Sequence, residues 1–110
     1  MLPRKHRLKK NKDFDKVFKQ GKGFREDFLF LKATENGLEN SRIGIVVSPK
    51  TAKKAFERNL IKRRIREAVR KRLGEIKPGL DIVIVAQSGI SKETSFQTIE
   101  KTLDRVLLKI

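Results

Sequence analysis

The sequence predicts an α+β fold, a small two-layer sandwich in which helices cover a mixed sheet of four or fewer strands. Three segments carry apolar residues at helical spacing, and three shorter segments are rich in branched and aromatic residues. They follow one another as helix, strand, strand, helix, strand, helix, an order typical of an α+β sandwich. The 110 residues suffice for one modest core, so we expect a single domain over residues 1–110.

The N-terminal part predicts a basic arm followed by a short helix. Residues 1–10 are rich in Lys and Arg and offer little to bury, which indicates an arm that is flexible or ordered by a partner. A helix is expected from Asn11, a suitable N-cap, because Phe14, Val17 and Phe18 recur at i, i+3 and i+4. Gly21 is expected to end this helix.

Three segments predict strands. FLFLKAT (28–34) and RIGIVVS (42–48) flank the turn sequence ENGLEN (35–40), so we expect these two strands to form a hairpin. DIVIVA (81–86) is continuously apolar, the pattern of a strand buried on both faces. This third strand is therefore expected at the centre of the sheet.

Two further helices are predicted. One runs from about Thr51 to Leu73, with an apolar stripe formed by Ile61, Ile65, Ala68 and Val69. The last follows a turn at residues 88–91, with Ser91 or a nearby hydroxyl as its cap, and carries apolar residues from Phe96 to Ile110 on one stripe. Three aromatic residues are assigned to the core: Phe24, Phe56 and Phe96.

The charge of the chain predicts a polyanionic partner. Lys and Arg number 28 against 13 acids, a formal charge of +15 with a pI near 10.6. No apolar run reaches the roughly 20 residues that span a bilayer, so we expect no membrane partner and favour nucleic acid. The absence of Cys excludes disulfides, thiolate nucleophiles and Cys-based zinc sites. A cytoplasmic location is the default.

The long helix concentrates this charge on one side. At 100° per residue, an Asn and four cations share a sector about 100° wide: Asn59, Lys62, Arg63, Arg66 and Arg70, with Arg58 at its border. Like charges at i, i+4 destabilise a helix by a few tenths of a kcal/mol per pair, so an anionic ligand would relieve this cost. The alternative is a solvated helix face, but such faces usually mix both signs. Further cations precede the helix at Lys50, Lys53 and Lys54.

The chain offers no catalytic constellation. His6 is the only His and lies in the arm, and the neighbouring carboxylates Asp13/Asp15 and Glu26/Asp27 are explained by surface ion pairing. We therefore expect no catalytic residue and no metal site on the protein. Two rival functions stay open at this point, a self-sufficient nuclease and a ribosomal or general RNA-binding protein.

Three segments together resemble the bacterial ribonuclease P protein component. RNLIKRRIRE (58–67) follows SRIGIVVSPKTAKKAFE (41–57), and RLKKNKDFDKVFKQGK (7–22) is similar to the opening helix of that family. The resemblance covers nearly the whole chain in the family's order of elements. The chain departs from the pattern at Leu60, where many members carry a third basic residue, and at Pro49.

The resemblance implies a non-catalytic protein subunit. It would bind the ribonuclease P RNA and assist endonucleolytic removal of the 5′ leader from precursor tRNA, while the RNA performs the Mg²⁺-dependent cleavage that leaves a 5′-phosphate. No small-molecule substrate is implied. The implied fold is that of the second domain of ribosomal protein S5, with a left-handed βαβ crossover, although such crossovers are right-handed in about 98% of proteins.

The resemblance also assigns roles to residues. Arg58, Asn59, Lys62, Arg63 and Arg66 match the basic-helix motif that contacts RNA, whereas Phe14 and Phe18 match aromatics that line a cleft for the single-stranded leader. Phe30 could join that cleft, since Phe28 and Phe30 share one pleat face; plain core packing is the alternative for these rings. The complete set predicted to bind RNA is Arg7, Lys50, Lys53, Lys54, Arg58, Asn59, Lys62, Arg63, Arg66 and Arg70.

Overall fold

The computed structural model describes residues 2–110. A short 3₁₀ helix at Arg4–His6 precedes α1, and a second one at Leu73–Glu75 follows α2. The helices are α1 (Asn11–Gln20), α2 (Ala55–Arg70) and α3 (Phe96–Leu107), and the strands are β1 (Lys22–Glu26), β2 (Leu29–Glu35), β3 (Arg42–Val47) and β4 (Leu80–Ala86). The α+β class and the mixed four-stranded sheet are confirmed.

The sheet order is β1-β2-β4-β3. β2 pairs antiparallel with both β1 and β4, whereas β3 and β4 run parallel with α2 as the connection between them. β4 is central, as its continuous apolar sequence predicted. The hand of this crossover stays a prediction from the resemblance.

The predicted hairpin between the second and third strands is wrong. The turn at residues 35–40 forms, and the Asn36 side chain accepts a hydrogen bond from the Leu38 backbone N–H at 2.7 Å. However, this turn connects β2 to β3, and β4 lies between those two strands in the sheet. β2 instead forms a hairpin with β1, through a turn in which Asp27 adopts a positive φ of 48°. β1 was missed because its sequence, KGFRE, has the Gly and charges typical of an edge strand.

Helices cover both faces of the sheet, one more layer than the predicted sandwich. α2 and α3 cover the face that carries the larger core, with Leu31, Ile65, Ile84 and Leu103 fully buried. α1 lies on the opposite face, where Val17 packs with Val83 and Leu8. Successive residues of β4 therefore lie on faces covered by different helices, which explains why the strand is apolar from Ile82 to Ala86.

The basic arm packs against the edge of the sheet. The Leu8 N–H donates to the Ile43 carbonyl at 3.0 Å, and Arg7 forms a parallel bridge with Ile43. His6 Nδ1 lies 2.7 Å from the Ser41 carbonyl oxygen. Leu2 and Leu8 are buried, so the expectation that the arm has little to bury is wrong. The arm covers the outer edge of β3, which would otherwise be an unpaired strand edge.

α3 begins at Phe96, and its N-cap is the nearby hydroxyl of Ser95 rather than that of Ser91. The Ser95 hydroxyl accepts a hydrogen bond from the Thr98 N–H at 3.1 Å. Ser91 instead organises the preceding turn by accepting from the Glu93 N–H. None of the helices in the described part of the chain is long and apolar enough to cross a membrane.

Asp104→Asn is expected to weaken the acid dependence of stability. The Arg72 guanidinium hydrogen-bonds Asp104 and thereby lowers the pKa of that carboxyl, which ties the end of α2 to α3. A lowered folded-state pKa gives stability that is present above the unfolded pKa of about 3.9 and is lost as the pH falls through the folded value. Because about half of the side chain is exposed, the contribution at neutral pH should not exceed about 1 kcal/mol.

Urea unfolding of the wild type and the variant between pH 7 and pH 2 measures this effect. The difference in unfolding free energy should be present at pH 7 and vanish at the acid end. Asp15→Asn, which removes an exposed carboxylate from α1, is the control. Equal losses in both variants would contradict the assignment to the Arg72 contact.

Candidate nucleic-acid interface

α2 presents a cationic face because its apolar stripe is fully buried. Ile61, Ile65, Ala68 and Val69 have no exposed surface, so the opposite side of the helix faces solvent. Lys62 and Arg66 are half-buried beside the stripe, whereas Asn59 and Arg63 are exposed. Among residues 2–110, none of the side chains of Asn59, Lys62, Arg63 and Arg66 forms an ion pair or a hydrogen bond. Their hydrogen-bonding groups therefore remain available to a ligand.

Two arginines of the predicted set are engaged within the protein. Arg58 donates from Nη1 to the carbonyls of Ala52 at 3.0 Å and Lys53 at 2.7 Å, and so fixes the loop that enters α2. Arg70 pairs with Glu67, and this hydrogen bond raises the pKa of Arg70 and lowers that of Glu67. The observed helix is shorter than the predicted one, because α2 begins at Ala55 and ends at Arg70. Lys50, Lys53 and Lys54 therefore lie exposed on the loop before it.

A cleft of about 300 Å³ adjoins the cationic face. Its lining includes Lys62 and Arg66 of α2, Phe14 of α1 and Gly44 of β3. The arm adds Leu2, Arg7, Leu8 and Lys9 to the lining, and β3 adds Ile43 and Ile45. Arg7 is partly buried and donates from Nε to the Leu2 carbonyl at 2.7 Å. The fold thus joins α1, the arm, β3 and α2 at one site.

The three predicted cleft aromatics lie on the same side of the sheet but do not share this cleft. Phe14 lines it, half-buried, whereas Phe18 is 39% exposed on α1. Phe30 is half-buried on β2 in register with Val85, with the Arg25 guanidinium 6.0 Å from its ring centroid. Phe28 does not share its face, because it precedes β2 and is buried in the larger core.

Several residues of the site escaped prediction. No sequence pattern predicts that Leu8, Lys9 and Gly44 line the cleft. Leu8 and Lys9 of the arm and Gly44 of β3 become part of one site only because the arm packs against β3. Phe56 was assigned to the core, but 59% of it is exposed, so that assignment is wrong. Its position in the first turn of α2 is offset from the buried stripe, a signal that helical periodicity could have supplied.

No group of three or more His, Asp or Glu side chains capable of holding a metal ion occurs within residues 2–110. Glu26, one of the adjacent carboxylates, is paired with Lys109 at 2.8 Å and Arg105 at 3.1 Å, and the hydrogen bond from Lys109 lowers its pKa. Asp13 lies 3.5 Å from Arg42.

Gly44→Ala is expected to displace Phe14 and destabilise the protein by about 1–3 kcal/mol. A methyl group at Gly44 would lie 2.4 Å from the Phe14 ring, closer than any tolerated contact. Thermal unfolding measures the loss. Gly74→Ala is the matched control, since no atom lies within 4 Å of the added carbon there. A wild-type melting temperature for Gly44→Ala would show that the ring moves without cost.

The comparisons with known proteins all identify the same family, and each covers most of the chain. The model of the ribonuclease P family matches residues 2–110. The ribonuclease P protein component of Picosynechococcus is 42% identical over 108 residues, covering 98% of this chain and 92% of the relative. That of Clostridioides difficile is 43% identical over 101 residues, covering 91% and 87%.

Solved structures show the same fold. The RNase P protein from Thermotoga maritima superposes with a TM-score of 0.86 at 36% identity, covering 94% of this chain and 96% of that one. The RNase P protein of Staphylococcus aureus gives 0.84 at 31% identity, covering 94% of each chain. The chain therefore belongs to the ribonuclease P protein component family and is a protein subunit of ribonuclease P.

Proposed function

We propose that this subunit binds the ribonuclease P RNA through the cationic face of α2 and holds the 5′ leader of precursor tRNA in the adjoining cleft. The observation that carries this proposal is that Lys62, Arg63 and Arg66 stand together without a counter-ion from the described chain. Arg72 and Arg105 of the same chain pair with carboxylates, whereas these three cations do not. An external polyanion is the natural partner of the group that does not.

The spacing along α2 suits a phosphate backbone. Arg58, Lys62 and Arg66 follow at i, i+4 steps of about 6 Å, comparable with the spacing of phosphates along a strand. Because Arg58 braces the entry loop, Lys62, Arg63 and Arg66 are expected to supply most of the contacts. Arg forks bind phosphates through two hydrogen bonds, and the neutral Asn59 can donate to and accept from a sugar hydroxyl or a base edge.

The cleft suits a single strand of variable sequence. Phe14 offers an aromatic surface in the same cleft as Lys62 and Arg66, and Arg7 and Lys9 add cations from the arm. Bases stack on aromatic rings with little regard to identity, at about 1–3 kcal/mol per base, while cations hold the phosphates. Phe18 and Phe30, on the same side of the sheet, would extend this surface for further leader nucleotides.

The chemistry of cleavage belongs to the RNA in this proposal. The RNA subunit, with its Mg²⁺ ions, cleaves the phosphodiester bond that leaves the 5′-phosphate on the mature tRNA. The protein contributes cations that offset repulsion between two RNA molecules and contacts that position the precursor. It acts on no small molecule and works in the cytoplasm. The alternative of a ribosomal protein is not supported by the comparisons.

Reconstitution with a ribonuclease P RNA at low Mg²⁺ tests the proposal. We expect faster cleavage and tighter precursor binding than with RNA alone. The gain should shrink as the leader is shortened below the length that reaches the cleft. Protein without RNA should not cleave.

Two outcomes would overturn the proposal. An unchanged cleavage rate on adding the protein would favour a structural RNA-binding role. A gain that is independent of leader length would remove the leader from the cleft. Lys101→Ala, which removes a cation from the exposed side of α3, is the control and should retain the full gain.

A further inference from the structure

Phe56 is an aromatic side chain that the proposed cleft does not use. It lies in the first turn of α2 and is the most exposed Phe of the described chain. An exposed ring of this size loses most of the free energy that burial would supply. A single exposed apolar side chain is ordinary on a protein surface, so only the groups around this ring can indicate a role for it.

Two lysines flank the ring. Lys54 Nζ and Lys92 Nζ each lie 5.8 Å from the ring centroid, within the range of a cation–π contact. Lys54 belongs to the loop before α2, and Lys92 to the turn before α3. Three separate elements thus bring one ring and two ammonium groups together.

Two arginines hold these elements in place through hydrogen bonds to backbone carbonyls. Arg58 binds the carbonyls of Ala52 and Lys53, which fixes the loop that carries Lys54. Arg64 donates to the carbonyls of Lys92 and Thr94, the latter at 3.2 Å, which ties the second turn to α2. The arrangement is therefore braced from both sides and does not depend on free loops meeting by chance.

We propose that Phe56 is a stacking platform for an unpaired nucleotide, with Lys54 and Lys92 binding the adjoining phosphates. This inference rests on the proposed RNA-binding function and extends it to a second aromatic site, formed by a different set of residues from the Phe14 cleft. The nucleotide could come from a single-stranded part of the RNA subunit or from the precursor. Both supply a base next to phosphates, and the experiment distinguishes them.

The lysines argue against an apolar protein partner. Covering the ring with such a partner would remove two ammonium groups from water without a counter-charge, which is costly. A nucleotide covers the ring and neutralises the cations at the same time. Ring–base stacking and Lys–phosphate contacts are the combination found in sequence-tolerant single-strand binding.

Phe56→Trp supplies a direct reporter. The chain contains no Trp and no Tyr, so the variant has a single indole fluorophore. We expect its emission to be quenched when a base stacks on it. Titration with the RNA subunit alone, followed by precursor with a long or a short leader, identifies which molecule supplies the base. Leu108→Trp, at a position that is 86% exposed just after α3, is the control for non-specific quenching.

Phe56→Ala measures the contribution to binding. A lost stack corresponds to an affinity loss of about 5- to 150-fold for the RNA that quenches the indole, and Phe56→Tyr should retain affinity within about twofold. Circular dichroism verifies folding. Quenching no greater than in Leu108→Trp, or full affinity of Phe56→Ala in an assembled and active complex, would overturn the platform and leave the proposed function intact. A wild-type protein that fails to bind the RNA subunit would overturn both.

Discussion

Arg42→Met is expected to lower the free energy of unfolding by about 3 kcal/mol or more, a large share of the stability of a domain of this size. Asp81 is only 4% exposed, and Arg42 holds both of its oxygens, from Nε at 2.8 Å and from Nη2 at 2.7 Å. This pairing raises the pKa of Arg42. Without the guanidinium, the buried Asp81 carboxylate would keep only the Asn36 amide, at 3.0 Å, as a side-chain partner among residues 2–110.

The size of the effect comes from the charge left behind. Removing one partner of a buried ion pair leaves an uncompensated charge, whereas exposed pairs contribute little. Arg42 also lies 3.5 Å from Asp13, so its removal breaks an ion pair between α1 and the sheet at the same time. Chemical denaturation of the purified variant measures the change in stability.

A double variant and a surface variant test the explanation. Adding Asp81→Asn to Arg42→Met should recover part of the lost stability, because the buried group becomes neutral. Arg105→Met, which breaks exposed pairs with Glu26 and Asp27, should cost at most about 1 kcal/mol. A double variant less stable than Arg42→Met alone would contradict the buried-charge explanation.

Lys62→Ala combined with Arg66→Ala is expected to weaken binding to the ribonuclease P RNA about a hundredfold. Each charged hydrogen bond to phosphate contributes roughly 1.5 kcal/mol, about a tenfold change in affinity. The slope of log K against log salt should become shallower by about 0.7–0.9 for each phosphate that the variant no longer neutralises. Binding measured at several salt concentrations gives both quantities.

The same double variant should be slightly more stable than the wild type, although it binds RNA less tightly. The two cations repel each other at i, i+4 and have no carboxylate partner within the described chain, so their removal should stabilise the free protein by a few tenths of a kcal/mol. Lys101→Ala with Arg105→Ala removes two cations from α3 and should leave RNA affinity nearly unchanged. An unaltered salt slope in the α2 variant would show that Lys62 and Arg66 do not face the RNA.

The sequence alone predicted those elements whose signal is local. α1, α2 and α3 were found because apolar residues at helical spacing must lie on one side of the helix. The central position of β4 followed from its continuous apolar sequence, and the cationic sector of α2 followed from helical geometry.

The sequence could not predict which strands would pair. The turn at residues 35–40 is genuine, but a turn reverses the chain without selecting the strand beside it, and the insertion of β4 depends on contacts distant in sequence. β1 was missed because an edge strand needs no apolar pattern. Phe56 is a different case: its apolar character suggested burial, but its helical offset from the buried stripe of α2, which the sequence does record, leaves it exposed.

By itself, the sequence determined the helices, the central strand, the charge and the family of this protein, because each is recorded in residue type and short-range spacing. Only the tertiary structure decided that the arm packs on β3 and that Phe14, Lys62 and Arg66 line one cleft. These features depend on which distant segments meet. The physical reason is that burial and ion pairing stabilise a contact between any two segments whose shapes and charges match. Which segments come close enough to do so is determined by the whole fold.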